Sequence, residues 1–335
     1  MQGASESGHH RVCIVPAMTL VLREADVKQV VDMDAVIGAV ESSMRELGAG
    51  NAQNEPRRRA FAPGGLLNVM FASYPAGGYT GLKAYTIGGG RVRFLVTAFA
   101  LDGSLHALIE ADLMGAFRTG AASAVAAKAL RPHTPVTVAI IGTGHQATTQ
   151  VLALSRVCEI RELRAFSRDP QHRAAFVRDR QAALGLHAVA SESAEAAVRG
   201  ADIVVTSTTS AEPVLEAAWV EPHALVIAAG SNFPNRTEIP IDLVTRAQSV
   251  VVDQLATARL ESGDLIQAQA SGQFDWERVT ELGSVLAGKW QAPDQPGITL
   301  FESHGLALWD LAAASVVIPA ARAKGLGQEV PFFSA

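Results

Sequence analysis

The 335-residue chain is poor in cysteine. Cys13 and Cys158 are its only two, and neither belongs to a CxxC pair. That count excludes a disulfide framework and a structural zinc site. Two isolated thiols fit a reducing cytoplasm. Long apolar runs are also lacking. Stretches such as Val136–Ile141 and Ala224–Ala229 stop far short of the roughly 20 residues that a membrane-spanning helix needs. Neither sign of charge dominates: 28 Lys and Arg face 33 Asp and Glu, for a net charge of −5. A protein whose main task is to grip phosphate backbones, and hence a nucleic-acid partner, is thereby excluded. No His, Cys or carboxylate cluster has metal-ligand spacing, and no Gly-x-Ser-x-Gly nucleophile elbow occurs. His9 and His10 sit in a small polar leader with no apolar segment. That leader does not read as a secretory signal and is expected to be mobile.

What is present reads as globular. The chain is 48% hydrophobic and 18% charged, the opposite of a disordered composition. Its length suggests two domains at roughly 150 residues each, with a core that needs no covalent staple. From Ala25 to Leu47 the apolar residues follow a helical period, with Val27, Val30, Val31, Met33, Val36, Ile37 and Val40 on one face. Asp32 or Asp34 can start the main helix, and Gly48 and Gly50 stop it. Glycine-divided apolar runs follow at Leu66–Ala72, Gly81–Thr86, Arg93–Ala98 and Leu105–Glu110, with a hairpin signal at Asp102-Gly103. This region predicts a helix and then a mainly antiparallel sheet. An Ala-rich helix is expected over Leu113–Leu130. The segment Arg131-Pro132-His133-Thr134-Pro135 ends it and marks a domain boundary.

The pattern then changes. Strands are expected at Val136–Ile141, Glu162–Phe166, Leu186–Ala190, Ile203–Thr206, Leu225–Ala229 and Ser249–Val252. Helices are expected between the early ones, at Gln146–Val157, Pro170–Leu184 and Ala194–Arg199. Such alternation predicts a doubly wound parallel sheet, an α/β fold. A last helix, about Ser303–Lys324, can return to the first domain.

The clearest chemistry follows the strand Val136–Ile141. Gly142-Thr143-Gly144-His145-Gln146-Ala147 is a G-x-G-x-x-A turn that opens a helix. The first glycine permits the tight turn, the second lets backbone approach a pyrophosphate, and the small third residue allows close helix–strand packing. The pyrophosphate then meets unpaired N–H groups at the helix start. A Rossmann-type dinucleotide-binding domain is expected. His145 inside the loop fits cofactor contact better than a base. At the end of the next strand, an acid would bind the ribose hydroxyl of NAD. Here the residues are Ser167 and Arg168, followed by Asp169. Serine and arginine suit a 2′-phosphate, so NADP(H) is favoured, with NAD(H) possible if Asp169 holds the strand-end position. Thr206 and Thr208, after the strand Ile203–Val205, are expected to line the cofactor channel.

From about Val36 to Gly327 the chain resembles the ornithine cyclodeaminase/μ-crystallin family. The strongest segment is Ala116-Phe117-Arg118-Thr119-Gly120-Ala121-Ala122-Ser123-Ala124, with Ala127-Lys128 and the Gly142–Ala147 loop after it. Gly81-Leu82-Lys83, Ala228–Ile239 with Pro234 and Glu238, Val252-Asp253, Glu261-Ser262-Gly263-Asp264, and Ser303-His304-Gly305 with Asp310 add to it. The resemblance implies a substrate and dimerisation domain over about 1–131 plus 304–335, around a Rossmann domain over 132–303, in a homodimer joined through its N-terminal sheets. It implies a clamp for a small carboxylate substrate made of Arg57, Lys83 and Arg118, with Arg59 as the alternative to Arg57. A planar guanidinium and a compact ammonium suit an α-carboxylate. It also brings Arg118, Thr119, Ser231 and Gly305 to the cofactor. Lys83 and Asn232 are the candidates for catalysis. Cyclodeaminases carry an aspartate where Gly230-Ser231-Asn232-Phe233-Pro234 places Asn232, and an amide cannot act as a general base. The expected activity is therefore NAD(P)-dependent hydride transfer at the α-carbon of an amino or imino acid. Ornithine cyclization with bound NAD and non-catalytic NADP(H) and ligand binding are the alternatives.

Overall fold

The structure is a computed structural model, and it describes residues 18–131 and 135–333. Cys13, the histidine pair His9 and His10, and the Pro132–Thr134 part of the expected boundary lie outside them. Strand β1 (Met18–Leu22) leads through the short helix α1 (Glu24–Val27) to helix α2 (Met33–Ala49). Strands β2 (Gln53–Ala62), β3 (Gly65–Tyr74), β4 (Tyr79–Gly88), β5 (Arg91–Ala100) and β6 (Leu105–Glu110) follow, and then helix α3 (Asp112–Leu130). The helical period seen from Ala25 onward is thus broken before Asp32. The Asp32 carboxylate caps the new start by accepting from the Ala35 amide at 2.9 Å. Gly50, with φ 84°, closes the other end in the left-handed region.

The middle of the chain alternates strand and helix. It runs β7 (Val136–Ile141), α4 (His145–Val157), β8 (Ile160–Phe166), α5 (Pro170–Leu184), β9 (Ala188–Ala190), α6 (Ala194–Val198), β10 (Ile203–Thr206) and β11 (Leu225–Ala228). Then come α7 (Ile241–Arg246), β12 (Ser249–Val252), α8 (Leu255–Glu261), α9 (Gly263–Ala270), β13 (Val279–Glu281), α10 (Leu282–Leu286), β14 (Thr299–Glu302), α11 (Ala307–Ala323) and β15 (Gln328–Pro331).

Two sheets result. One is seven-stranded, in the order β15-β1-β6-β5-β4-β3-β2, and every pairing in it is antiparallel except β1 with β6. The other has eight strands in the order β13-β12-β14-β11-β10-β7-β8-β9, all parallel. Parallel strands covered on both faces should be apolar throughout, and all six residues of β7 are buried. The fold class is the expected α/β one. Strands β1, β2, β13, β14 and β15 carry no period that predicted them. The short lengths of β1, β13, β14 and β15, three to five residues each, and the charged run in β2 hide the alternation that reveals a strand. Helix α11 starts at Ala307, four residues later than expected, because Gly305 takes φ 89° there.

The order of the parallel sheet reverses at β7. The chain runs outward to β8 and β9, then returns to lay β10 on the other side of β7. A crevice opens at the carboxyl ends of strands at such a switch point. Helix α3 ties the first sheet to this place by packing on α4. The contact depends on small residues: a Cβ on Gly120 would collide with the Thr149 carbonyl oxygen of α4. Gly120→Ala is therefore expected to cost about 1–3 kcal/mol by overpacking. Urea denaturation should show a lowered midpoint with an unchanged slope.

Candidate active site

The crevice at β7 and β10 is a cavity of about 580 Å3. Ile141 and Gly142 from the end of β7, Phe166 and Ser167 from the end of β8, and Ser207 and Thr208 after β10 form its walls. Of the residues expected to hold a cofactor, it brings together Gly142, Thr143, Gly144, Ser167, Arg168 and Thr208. Gly142 has φ 101°, and a Cβ there would strike the Ser207 carbonyl oxygen. Only glycine fits that turn. At Gly144 a Cβ would meet nothing within 4 Å, and this residue starts α4 without any side-chain cap. The first N–H groups of α4 are thus left for a ligand, as a pyrophosphate requires. Ala147 is fully buried against the sheet, as its small size allows. The donor set and the bare backbone fit a dinucleotide.

Other expected cofactor residues lie elsewhere. His145 faces a neighbouring groove and is mostly exposed, with Nε2 3.9 Å from Asp112 Oδ1. Gln146 lies beside it and does not line the cavity. Thr206 does not line it either: the residue is buried and its hydroxyl donates to Glu238 Oε2 at 3.0 Å. Thr119 donates to the Gly115 carbonyl within its own helix at 2.8 Å. Ser231 accepts from the Phe233 amide at 3.3 Å.

Sequence reasoning missed the role of Glu238. Its carboxylate accepts from the Thr206 hydroxyl, the Thr208 amide and hydroxyl, and the Gly230 amide, at 2.6 to 3.0 Å. It thereby pins the ends of β10 and β11. Burial pushes its carboxyl up, against the pull of these four donors. Asp264 in turn accepts from the Glu238 and Ile239 amides at 2.8 and 3.0 Å. A buried acid must have partners, and that rule is the signal that could have singled out Glu238.

The expected clamp residues form a second cluster. Lys83 on β4 donates from Nζ to Asp310 Oδ1 at 2.8 Å, and Arg118 Nε on α3 lies 3.3 Å from the same oxygen. Arg57 on β2 pairs with Glu261 and donates to the His304 carbonyl at 3.2 Å. Arg59 shares Glu261, at 3.0 Å, and donates to the Asn232 carbonyl at 2.7 Å. Arg57, Lys83, Arg118, Glu261 and Asp310 are all buried. The turn after β14 joins the cluster, because a Cβ on Gly305 would stand 2.8 Å from Arg118 Nη1. Gly305 thus backs Arg118 and does not line the nucleotide cavity. Asp253 holds that turn by accepting from the His304 and Gly305 amides at 2.7 and 2.8 Å.

Electrostatics divides the labour. Burial, helped by the Arg118 guanidinium, lowers the Lys83 ammonium to about 8 against the pull of Asp310. A lysine so placed can give or take a proton near neutral pH. Burial also opposes the charge on His304. Hydrogen bonds to Asp253 and Glu302 outweigh it and raise the imidazolium to about 10. His304 therefore holds its proton and orders the turn. Asn232 contributes its backbone carbonyl to Arg59. Its side chain makes no hydrogen bond among the described residues.

The family model of ornithine cyclodeaminase/mu-crystallin matches residues 17–325. The chain belongs to this family. An alanine dehydrogenase from Archaeoglobus fulgidus is 33% identical over 330 residues, covering 94% of this chain and 99% of that one. The solved Thermococcus litoralis Delta(1)-pyrroline-2-carboxylate reductase, in complex with NADH and L-proline, superposes with a TM-score of 0.89. It is 28% identical, over 93% of this chain and 100% of that one. An archaeal alanine dehydrogenase dimer with bound NAD has a TM-score of 0.89 at 32% identity, over 95% and 100% of the two chains.

Within this family member, Glu238 anchors two walls of the cavity. Glu238→Ala removes the acceptor of four donors, of which the Thr206 hydroxyl is buried and costs about 1–3 kcal/mol if left unpaired. The variant should bind a nicotinamide dinucleotide at least tenfold more weakly, as read by fluorescence titration.

Proposed function

We propose that the chain is an NAD(P)-dependent oxidoreductase that interconverts a small imino acid and its amino acid, with hydride transfer at the α-carbon. The observation that carries this reading is the convergence of Arg57, Lys83 and Arg118, three buried cations, around the turn at the end of β14. That turn lies at the same carboxyl edge of the parallel sheet as the nucleotide cavity. Similarity to a pyrroline-2-carboxylate reductase and to alanine dehydrogenases supports the amino and imino acid class.

A bound nicotinamide dinucleotide would supply or accept the hydride. The chain's own residues do the rest. Arg57 and Arg118 hold the substrate carboxylate as guanidinium forks do. Lys83 gives a proton to the substrate nitrogen in the reductive direction and takes one in the oxidative direction. Asp310 orients both Lys83 and Arg118 through one oxygen. No carboxylate stands at Asn232 to serve a cyclodeaminase-type proton transfer, which supports plain redox chemistry over ornithine cyclization.

For the cofactor, we favour NADP(H). Asp169, the acid that would favour NAD, is engaged as the cap of α5, where Oδ1 accepts from the Gln171 and His172 amides at 2.8 and 3.1 Å. Arg168 and His172 line the same end of the cavity and suit a 2′-phosphate. We also read the chain as a homodimer. Leu67, Phe71 and Leu95 stand exposed on the outer face of the mixed sheet, and an apolar patch of that kind marks a docking surface.

Two outcomes check this reading. Arg168→Ala removes a charge-assisted contact of about 1.5–3 kcal/mol, so KM for NADPH should rise at least tenfold while KM for NADH holds. The pH profile checks Lys83. kcat/KM for imine reduction needs the protonated amine, so it should be level below pH 8 and fall above it, following the Lys83 value of about 8. Amino acid oxidation needs the free amine and should rise through the same pH. Flat profiles between about pH 6 and about pH 10 would remove Lys83 from the proton transfer.

A further inference from the structure

Asp310, near the start of α11, uses its two carboxylate oxygens unequally. Oδ1 accepts from Lys83 Nζ at 2.8 Å and lies 3.3 Å from Arg118 Nε. Oδ2 is buried and has no hydrogen-bond partner among the described residues. An arginine that meets a carboxylate frequently engages both of its oxygens, and a buried oxygen left bare is costly and rare. A donor from outside the fold would account for it. The donors beside Asp310 are incomplete as well. The two terminal nitrogens of Arg118 make no hydrogen bond among the described residues, although the residue is buried. Trp309 covers the guanidinium, 5.7 Å from its ring centroid, without competing for those donors.

The cluster thus keeps open a two-pronged donor and, next to it, an acceptor. An α-amino or α-imino acid carries the complementary pair on one carbon: a carboxylate that accepts and a nitrogen whose N–H donates. Arg118 is 8% exposed, against 2% for Lys83 and 1% for Asp310, so a ligand meets the guanidinium first and the acid behind it. Among the described residues, one other acid near the site has a bare oxygen, Oε1 of Glu302. Strand register turns it away. Glu302 pairs with Ala228 and Val252 and shares the face of Leu300. Those three residues belong to the core on the far side of the parallel sheet, whereas Phe301 faces the core that holds Trp309 and Leu311 of α11.

We propose that Asp310 binds the substrate nitrogen: Oδ2 accepts an N–H of the ammonium or iminium group while the terminal nitrogens of Arg118 hold the α-carboxylate. This rests on the reading that Arg57, Lys83 and Arg118 form the carboxylate clamp. Charge agrees with it. Arg57, Arg59, Arg118 and His304 are cations; Glu261, Asp310, Asp253 and Glu302 are the acids they meet. The α-carboxylate adds one negative charge, so the complex is neutral when a single further proton sits either on Lys83 or on the substrate nitrogen. Asp310 touches both through different oxygens and holds the giver and the taker of that proton side by side. A ligand with an ether oxygen or a bare carbon in place of the nitrogen leaves Oδ2 unpaired, and a site built on a hydrogen bond rejects such a ligand strongly.

The test uses the full chain saturated with reduced cofactor, which leaves amino acids unoxidised. It is titrated calorimetrically with L-alanine and L-proline and with their nitrogen-free counterparts, propionate and tetrahydrofuran-2-carboxylate. The amino acid of better fit should bind at least tenfold more tightly than its counterpart, the size of one lost hydrogen bond to a charged group. Asp310→Asn keeps an oxygen for Lys83 and turns an amide nitrogen toward the ligand. It should remove the margin by weakening the amino acid while the counterpart holds its affinity. If Asp310 only orients Lys83 and Arg118, both ligands weaken together and the margin survives, which overturns the assignment. A wild-type chain without the margin overturns it too. Glu302→Gln should keep the margin, and losing it there would move the nitrogen to Glu302. The wild-type comparison and Glu302→Gln carry the test even where Asp310→Asn does not fold. If the counterparts bind as tightly as the amino acids, only the nitrogen assignment falls. If none of the four ligands binds, the carboxylate clamp falls with it.

Discussion

The pairing of buried cations with buried acids is the constraint on which the candidate site depends. Arg57, Lys83 and Arg118 come from β2, β4 and α3. Their partners Glu261 and Asp310 come from α8 and α11, later in the chain. Breaking one such pair by removing a partner costs about 3–5 kcal/mol, because a bare charge is left inside. Neither the early strands nor the later helices can satisfy these groups alone. Helix α11 packs on the first sheet, so it is the pairs of Arg57 and Arg59 with Glu261 that tie that sheet to the part of the chain holding α8. The pairs also fix side-chain positions before a ligand arrives, which reduces the ordering cost of binding.

A second layer of acids does for backbone what the first does for cations. Glu238, Asp264 and Asp253 accept amide protons at the ends of β10, β11 and β14 and at the residues that follow. These are places where the parallel sheet can no longer supply carbonyl partners. A carboxylate there ties several loop amides to one point. The edge of the sheet becomes a defined wall without longer loops or a metal.

Much of this could be read from the sequence, for identifiable reasons. The apolar run of β7 and the glycine turn after it combine a strand period with a conformation that only glycine adopts, so the nucleotide crevice was legible. So was Lys83, a charge between apolar neighbours on a strand. Arg118 stood out in the same way on an Ala-rich helix. Strands β1 and β15 were not legible, since four or five residues carry too short a pattern. Strand β2 was hidden because Arg57, Arg58 and Arg59 in succession show no apolar alternation, although Arg57 is buried and Arg59 is nearly so. Thr206 looked like a channel residue by position alone; its hydroxyl turns instead to Glu238. The acids could be located but not paired, because pairing depends on contacts more than two hundred residues apart, as between Arg57 and Glu261.

Helix α3 carries Arg118 and, two residues later, Gly120, whose missing side chain lets the helix rest directly on the backbone of α4. Helix α4 begins at the glycine turn that faces the nucleotide cavity. No compressible side chain separates the two helices at that contact. A small displacement of α4 therefore moves the Arg118 end of α3 with it, like two arms of a rigid lever. A ligand that shifted α4 on binding would be felt at Arg118, and a coupling of that kind is reciprocal: whatever the first ligand adds to the second's affinity, the second adds to the first's.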